Sequence, residues 1–323
     1  FAGFRNAFQH IFASFGVNIA AIAIVIEREE ALTEGVENGL QRLVDVVQLG
    51  GASGTTNENA VTADFSGLGT FTVDLGAAGT FRLGDNSTNT GAGSPVDLTL
   101  APTSAITAGT VIIGAVQTSS TSTLHLGSTS NTINTGLLVL GPNNTGRANG
   151  VLDFATSSGS LTLRAADGSS RAGVNLIDST FSTGVSQTAT VDLSGHSADL
   201  FVSTLTMASR TANTGSVTAS LSFDEGTLDV TTLTMARRTS TGTGGAAATL
   251  NLGDGALVGS PTTTIGTLNM AINTSSGGTV TADLNVSGGA VNVGTGSGTA
   301  INMANAGTGR TVASNINLTG GTT

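Results

Sequence analysis

The chain has 323 residues and a net charge of −10, from 21 acidic residues against 11 basic residues that are all arginine. This acidity argues against nucleic acid as a partner, because phosphate binding needs basic patches. The absence of Cys excludes a disulfide framework and thiolate chemistry. With 46 Gly and only 10% charged residues, the composition suits short strands joined by tight turns.

Residues 1–49 differ from the rest of the chain and are predicted to form a helical head. Phenylalanines recur there at spacings of three or four residues, which places them on one face of a helix. The stripe consists of Phe1, Phe4, Phe8, Phe12 and Phe15. A second helix is predicted from the apolar spacing between Leu32 and Val47, because glutamates load its first half and Gly50 follows its end.

Three interpretations of residues 1–26 stay open. They can form a packing or assembly helix that caps the body or joins subunits through the Phe stripe. They can anchor the chain in a membrane, although the apolar run is shorter than the ~20 residues of a confident span. They can also be the remnant of a signal sequence, although no small-x-small cleavage site follows the apolar run.

Residues 50–323 repeat short apolar–polar–apolar triplets, most clearly in residues 203–319. One motif, in which Ala follows an apolar-x-Met triplet, occurs four times at intervals of 28 to 35 residues. Its apolar pairs are Leu205 and Met207, Leu233 and Met235, Leu268 and Met270, and Ile301 and Met303. Leu161 and Leu163 are interpreted as a diverged copy of the same motif. A second triplet follows each Met by 13 to 15 residues, and a third begins 7 residues after the second in the complete copies.

The triplets predict an all-β, parallel β-solenoid. Apolar residues at period 2 point to one face of a strand, but one triplet buries too little surface to be stable alone. A unit that repeats at 28 to 35 residues can stack on its own copies and bury a continuous core. The Leu, Ile and Met residues of the four motifs are therefore predicted to be core positions, with the Thr and Asn between them facing outward.

The pattern of residues 232–257 resembles the β-strand-repeat proteins of bacterial cell surfaces. These include autotransporter passenger domains and filamentous-haemagglutinin-like adhesins. The resemblance covers roughly residues 52–323 and not the head. It implies a right-handed β-helix, export to the extracellular space or the bacterial surface, and a role in adhesion or surface structure, with cell-surface glycan as a partner.

The residues that could carry chemistry are few. His10, His125 and His196 have no second His or Cys at metal-ligand spacing and are predicted to be isolated surface or packing residues. We therefore predict no catalytic, cofactor-binding or metal-ligating residue and no cofactor. The adjacent pair Arg237 and Arg238 is interpreted as a solubilising surface or as an assembly contact.

Carboxylates give the remaining candidates for a site. Asp97, Asp153 and Asp192 are each the outward centre of a triplet, and they can align only if their coils are neighbours. Asp224 and Glu225 are the densest acidic pair and are predicted to lie in a solvated turn.

The sequence thus favours a structural, non-enzymatic surface protein that self-associates into a stalk, fibre or layer. An adhesive role is a possible addition to this structural one. One alternative is a β-helix protein that binds or cleaves polysaccharide, and a row of carboxylates within ~10 Å on one face would favour it. A second alternative is an ice-binding solenoid, suggested by the Thr-x-Thr arrangement at Thr204 and Thr206 and at Thr232 and Thr234.

Overall fold

The structure is a computed structural model. It describes residues 60–84, 95–114, 120–141, 148–180, 186–211, 215–239, 241–253, 260–294, 300–308 and 310–320, with the backbone of 24–25 and 46–49. Within these residues the chain forms strands and turns and no helix.

The strands of the first half of the chain are β1 (Ile24–Val25), β2 (Val46–Leu49), β3 (Val61–Asp64), β4 (Thr70–Asp74), β5 (Thr80–Leu83), β6 (Val96–Thr99), β7 (Thr103–Ile113), β8 (Thr121–Leu126), β9 (Ser130–Leu140), β10 (Asn149–Phe154) and β11 (Ser160–Arg164). Those of the second half are β12 (Ala172–Ser179), β13 (Gln187–Asp192), β14 (Ser197–Arg210), β15 (Val217–Phe223), β16 (Glu225–Arg238), β17 (Ala246–Leu252), β18 (Thr262–Asn273), β19 (Thr279–Val286), β20 (Ala290–Val293), β21 (Ile301–Met303) and β22 (Thr311–Leu318).

These strands form two sheets that run along the molecule. The smaller sheet has nine strands in the order β22-β19-β17-β15-β13-β10-β8-β6-β3, and the larger has 13, including the long strands β7, β9, β14, β16 and β18. Each strand pairs in parallel with its equivalent in the next coil, and the antiparallel pair β1–β2 is the exception among the described strands. The chain is therefore an all-β, parallel β-solenoid of about seven turns, as the triplets predicted.

The three triplets of a repeat correspond to three straight segments of one coil. In one such coil, the Leu221 triplet lies in β15 of the smaller sheet, and the Leu228 and Leu233 triplets lie in β16 of the larger sheet. The ladder between β14 and β16 skips Thr231 and Ala236, so β16 bends at both positions. The sequence thus specifies a strand on the smaller sheet followed by a twice-bent strand on the larger one.

The second bend explains the Ala that follows each Met of the repeated motif. Ala208, Ala236, Ala271 and Ala304 all have φ between 52° and 54°, in the left-handed region that non-glycine residues seldom occupy. The methyl groups of the first three are buried. Ala is therefore a compromise at this bend, because it fills the corner while it tolerates the left-handed backbone better than a larger residue does.

The same bend corrects the position of the diverged copy of the motif. Ile177 has φ of 62°, and the preceding Leu176 pairs with Met207, so residues 174–177 are the structural equivalent of the motif. Leu161 and Leu163 instead pair with Ala198 and Leu200, in the first segment of the next coil. The prediction that these two residues form the diverged copy is wrong by one segment.

The inward residues form one continuous apolar core. Six of the eight predicted core residues are almost completely buried, namely Leu205, Met207, Leu233, Met235, Leu268 and Met270. Ile301 and Met303 of β21 are 43% and 37% exposed. Their strand pairs with β18 on one side, and no further described strand covers the other. An interior cavity of about 30 Å³ is lined only by Leu and Val side chains, so it offers no polar group to a ligand.

Most of the predicted helical head lies outside the described residues, including the five phenylalanines of the stripe. Two short stretches of it are described. Ile24–Val25 and Val46–Leu49 are strands, and the second pairs in parallel with β5. At residues 46–49 the prediction of helix is therefore wrong. Among the described residues, no helix is long and apolar enough to span a membrane.

Candidate functional site

The outward residues of the smaller sheet stand in a column, because its strands are in parallel register. One residue per coil contributes, and the column contains no arginine. The column comprises Thr99, His125, Asp153, Asp192, Ser222, Asn251, Asn285 and Asn317. Its first half contains the ionisable residues His125, Asp153 and Asp192, and its second half consists of hydroxyl and amide groups.

His125 links carboxylates on both neighbouring coils. Its Nδ1 lies 2.5 Å from Oδ1 of Asp153 on β10, and its Nε2 lies 3.2 Å from Oδ1 of Asp97 on β6. The side chains of His125 and Asp153 are only 26% and 31% exposed, and that of Asp97 is 55% exposed. The prediction that His125 is an isolated residue is therefore wrong.

The carboxylates named from the sequence also come together. Asp97 and Asp153 flank His125 on adjacent strands, and Asp192 lies beside Asp153 because Leu152 pairs with Val191. Partial burial raises the pKa of Asp153, and the negative charges of Asp192 and Asp97 raise it further against the opposing effect of His125. A carboxyl group that holds its proton more tightly and lies beside other carboxyl groups is a feature of general acid–base sites.

The geometry does not resemble a metal centre. Among the described residues, no group of three or more His, Cys, Asp or Glu side chains is placed to hold a metal ion. Both ring nitrogens of His125 face carboxylate oxygens, so the imidazole bridges the two coils instead of presenting a free ligand.

The second half of the column is a ladder of amide hydrogen bonds. Asn317 donates to Asn285 at 2.7 Å, Asn285 donates to Asn251 at 2.8 Å, and Asn251 donates to the hydroxyl of Ser222 at 3.2 Å. Asn251 and Asn285 each accept from one neighbouring coil and donate to the other. This half of the face fastens neighbouring coils to one another.

The outward face of the larger sheet has its own charged cluster around Phe201. Arg171 makes a bidentate ion pair with Asp229, at 3.0 and 2.8 Å, and its guanidinium lies 3.9 Å from the centre of the Phe201 ring. Arg164 pairs with Asp199 on the next coil. Because Arg171 precedes β12, Phe201 lies in β14 and Asp229 lies in β16, one arginine ties three successive coils together.

Two charged residues lie deeper than the sequence indicated. Arg238 is completely buried and donates to the hydroxyl of Ser275 and to backbone carbonyls that include Gly242, so the interpretation of Arg238 as a surface residue is wrong. Burial lowers its pKa. Its neighbour Arg237 is exposed.

Asp224, predicted to be solvated, is only 2% exposed and accepts from the backbone N–H of Gly195.

The threonines considered for ice binding form two short rows on the larger sheet. Thr204, Thr232 and Thr267 are in register in one row. In the other, Thr206 and Thr234 are followed by Asn269. No specific contact in this array favours that alternative over the others.

Comparison with known proteins identifies no relative for this molecule: no family model, no curated protein and no solved structure matches the chain.

Proposed function

We propose that this protein is a structural component of the bacterial surface or its surroundings, whose solenoid serves as a stiff stalk, fibre or layer element. The observation that carries the proposal is the unbroken stacking. Both sheets keep parallel register along the body, and one apolar core runs through every described coil. In such an array each coil is stabilised by its neighbours, so bending or opening one coil breaks contacts on both sides.

Self-association is part of the proposal and is supported by the last described coil. The exposed large apolar side chains among the described residues are Ile301, Met303 and Leu318, and all three belong to this coil. They are in register with Leu268, Met270 and Val286, which are buried by them. Such a surface accepts another coil of the same kind, from a second copy or from a longer chain.

Negative-stain electron microscopy and light scattering of the full chain test this function. We expect rods that join end to end as the protein concentration rises. Met303→Glu places a charge in the apolar column and should abolish the joining. Asn302→Glu adds the same charge on the outward side of the same strand and should leave it intact. Compact particles at every concentration, or equal behaviour of the two variants, would contradict the proposal.

A polysaccharide-binding or polysaccharide-cleaving β-helix is the second candidate, and the carboxylates around His125 favour it. In this alternative the carboxyl of Asp153, with its raised pKa, is the general acid. Asp97, 55% exposed, is the second carboxyl group of the pair. Incubation with a panel of neutral and acidic polysaccharides, followed by measurement of reducing ends, distinguishes the candidates. Cleavage that Asp153→Asn abolishes would support the enzyme, and no cleavage by the native chain would reject it.

A further inference from the structure

The two histidines in the described part of the chain share an unusual arrangement, because both ring nitrogens of each face an oxygen acceptor. Those of His125 face the carboxylates of Asp153 and Asp97. In His196, Nδ1 lies 2.8 Å from the carbonyl of Ser194 and Nε2 lies 2.7 Å from the carbonyl of Thr156. His196 is also only 8% exposed, so water has little access to replace either contact.

Only the doubly protonated ring can satisfy these contacts. A neutral imidazole has one N–H and one lone pair, whereas the imidazolium donates from both nitrogens. Backbone carbonyls cannot donate, so a neutral His196 would set a lone pair against a carbonyl oxygen. A neutral His125 would likewise set a lone pair against a carboxylate. Each ring therefore loses one contact, and gains a repulsion, when it releases a proton.

The two histidines act on the same strand. Asp153, which accepts from His125, is followed directly in β10 by Phe154, whose ring stacks on His196 at 3.8 Å with an angle of 5° between the planes. A cationic ring above an aromatic face is favourable, and partial desolvation strengthens the attraction. His125 ties β10 to β8 and β6, while His196 ties the turn after β10 to the turn after β13.

We propose that His125 and His196 form a proton-dependent clasp that fastens four successive coils more firmly in mild acid than at alkaline pH. The bonds that only the protonated rings make are lost as they deprotonate, so stability falls as the pH rises through neutrality. The His125 half of the clasp also needs the carboxylate of Asp153 ionised, and the raised pKa of Asp153 limits that half on the acid side.

Other acidic groups around the clasp also favour the protonated rings over the neutral ones. Asp192 lies beyond Asp153 in the outward column, and its carboxylate also accepts from the N–H of Ser194 in the turn that holds His196. Asp224, at the end of β15, accepts from Gly195 in that turn. Both carboxylates are thus bonded to the turn that carries His196, where negative charge favours a cationic ring.

Thermal unfolding of the full chain at pH 5.5 and pH 8 tests the clasp. We expect the native Tm to fall with pH by about 2 °C or more for each histidine, the shift that modest coupling causes in a chain of this size. The double variant His125→Gln/His196→Gln should lose this difference. His10→Gln, which changes the third histidine of the chain, should keep it. An unchanged pH difference in the double variant would overturn the proposal.

A second measurement needs no variant. Correlation spectra of ¹⁵N-labelled imidazole rings in the full chain at about pH 7, where an ordinary imidazole is mostly neutral, should show two protonated nitrogens in two of the three histidines, with slow exchange for the buried His196. They should also show these rings keeping both protons to a higher pH than the third. A neutral tautomer of His196 at about pH 7 would overturn the inference. Neither outcome depends on whether the rods join end to end, so the clasp and the proposed function fail separately.

Discussion

The outward faces of the two sheets are built by the same triplets, yet their charged residues have different partners. On the smaller sheet, Asp97 and Asp153 contact one histidine, and Asp192 lies beside Asp153. On the larger sheet, Asp199 and Asp229 each meet an arginine. The inward residue of a triplet has to be apolar because it enters the core, whereas the outward residue can vary. The chemistry of this solenoid therefore depends on the middle residue of each triplet.

The backbones of the two sheets differ as well. Strands of the smaller sheet pair with no skipped residue, as β15 and β17 do over seven consecutive positions. In the larger sheet, β14, β16 and β18 skip two residues per coil, and one of these is the left-handed Ala. Left-handed non-glycine residues are thus concentrated on the larger sheet and the aspartate–histidine cluster on the smaller one, and substitutions can test this division.

The largest effect is expected at the bend of β16. Ala236→Val places a β-branched side chain at φ of 54° in a fully buried corner. It should lower the free energy of unfolding by about 3 kcal/mol through left-handed strain and overpacking. Ala236→Gly should change it by less than about 1 kcal/mol, because relief of strain offsets the lost methyl group. Urea unfolding measures both, and equal midpoints for the two variants would refute the role assigned to this Ala.

The next effect concerns the paired charges of the larger sheet. Arg171→Met should cost about 2 kcal/mol, because it leaves the carboxylate of Asp229, 29% exposed, without its bidentate partner. Arg237→Met is the matched control, since Arg237 is exposed on the same sheet, and it should cost less than about 0.5 kcal/mol. Similar losses in urea unfolding would show that the ion pair and its stack on Phe201 add little.

These differences also show how far the sequence could predict the molecule. Period 2 identified the inward side of each strand, and repetition identified the solenoid, because both follow from the need to bury a continuous core. Two adjacent arginines gave no sign that Arg238 turns inward to backbone carbonyls, since that depends on where β16 ends. The Ala that follows Met in every copy marked the position of the left-handed bend. The triplets alone, however, did not show whether the strand bends or ends at that position.

The column around His125 was predictable only in part. The outward direction of Asp97, Asp153 and Asp192 followed from their triplets. Their alignment depends on the length of every connector between them, and the coils differ in length. A neighbour one coil away is therefore not at a fixed distance in sequence, and His125 could not be placed between Asp97 and Asp153 without the register of β6, β8 and β10.

A smaller effect is expected in the amide ladder of the smaller sheet. Asn285 donates to Asn251 and accepts from Asn317, so Asn285→Ala removes two hydrogen bonds. We expect a loss of about 1 kcal/mol in the free energy of unfolding. Asn317→Ala removes one of these bonds and should cost about half as much. If the two variants are equal in urea unfolding, the ladder does not act as a chain of pairwise bonds.

The smallest effect is expected from two aspartates that differ in the number of bonds they accept. The carboxylate of Asp167, in the turn between β11 and β12, accepts from the hydroxyl and N–H of Ser170 and from the N–H of Ser169, and these bonds lower its pKa to about 2. Asp64 of the smaller sheet accepts from the N–H of Ser66, and the hydroxyl and N–H of that residue lower its pKa.

A pKa that is lower in the folded state stabilises the fold above the unfolded value and loses that contribution as the pH falls through the folded value. Asp167→Asn should therefore reduce the loss of stability between about pH 4 and pH 2, and Asp64→Asn should reduce it less. Acid titration of the Tm in the two variants measures the difference. A larger change for Asp64→Asn would mean that the turn of the larger sheet is not held by its carboxylate.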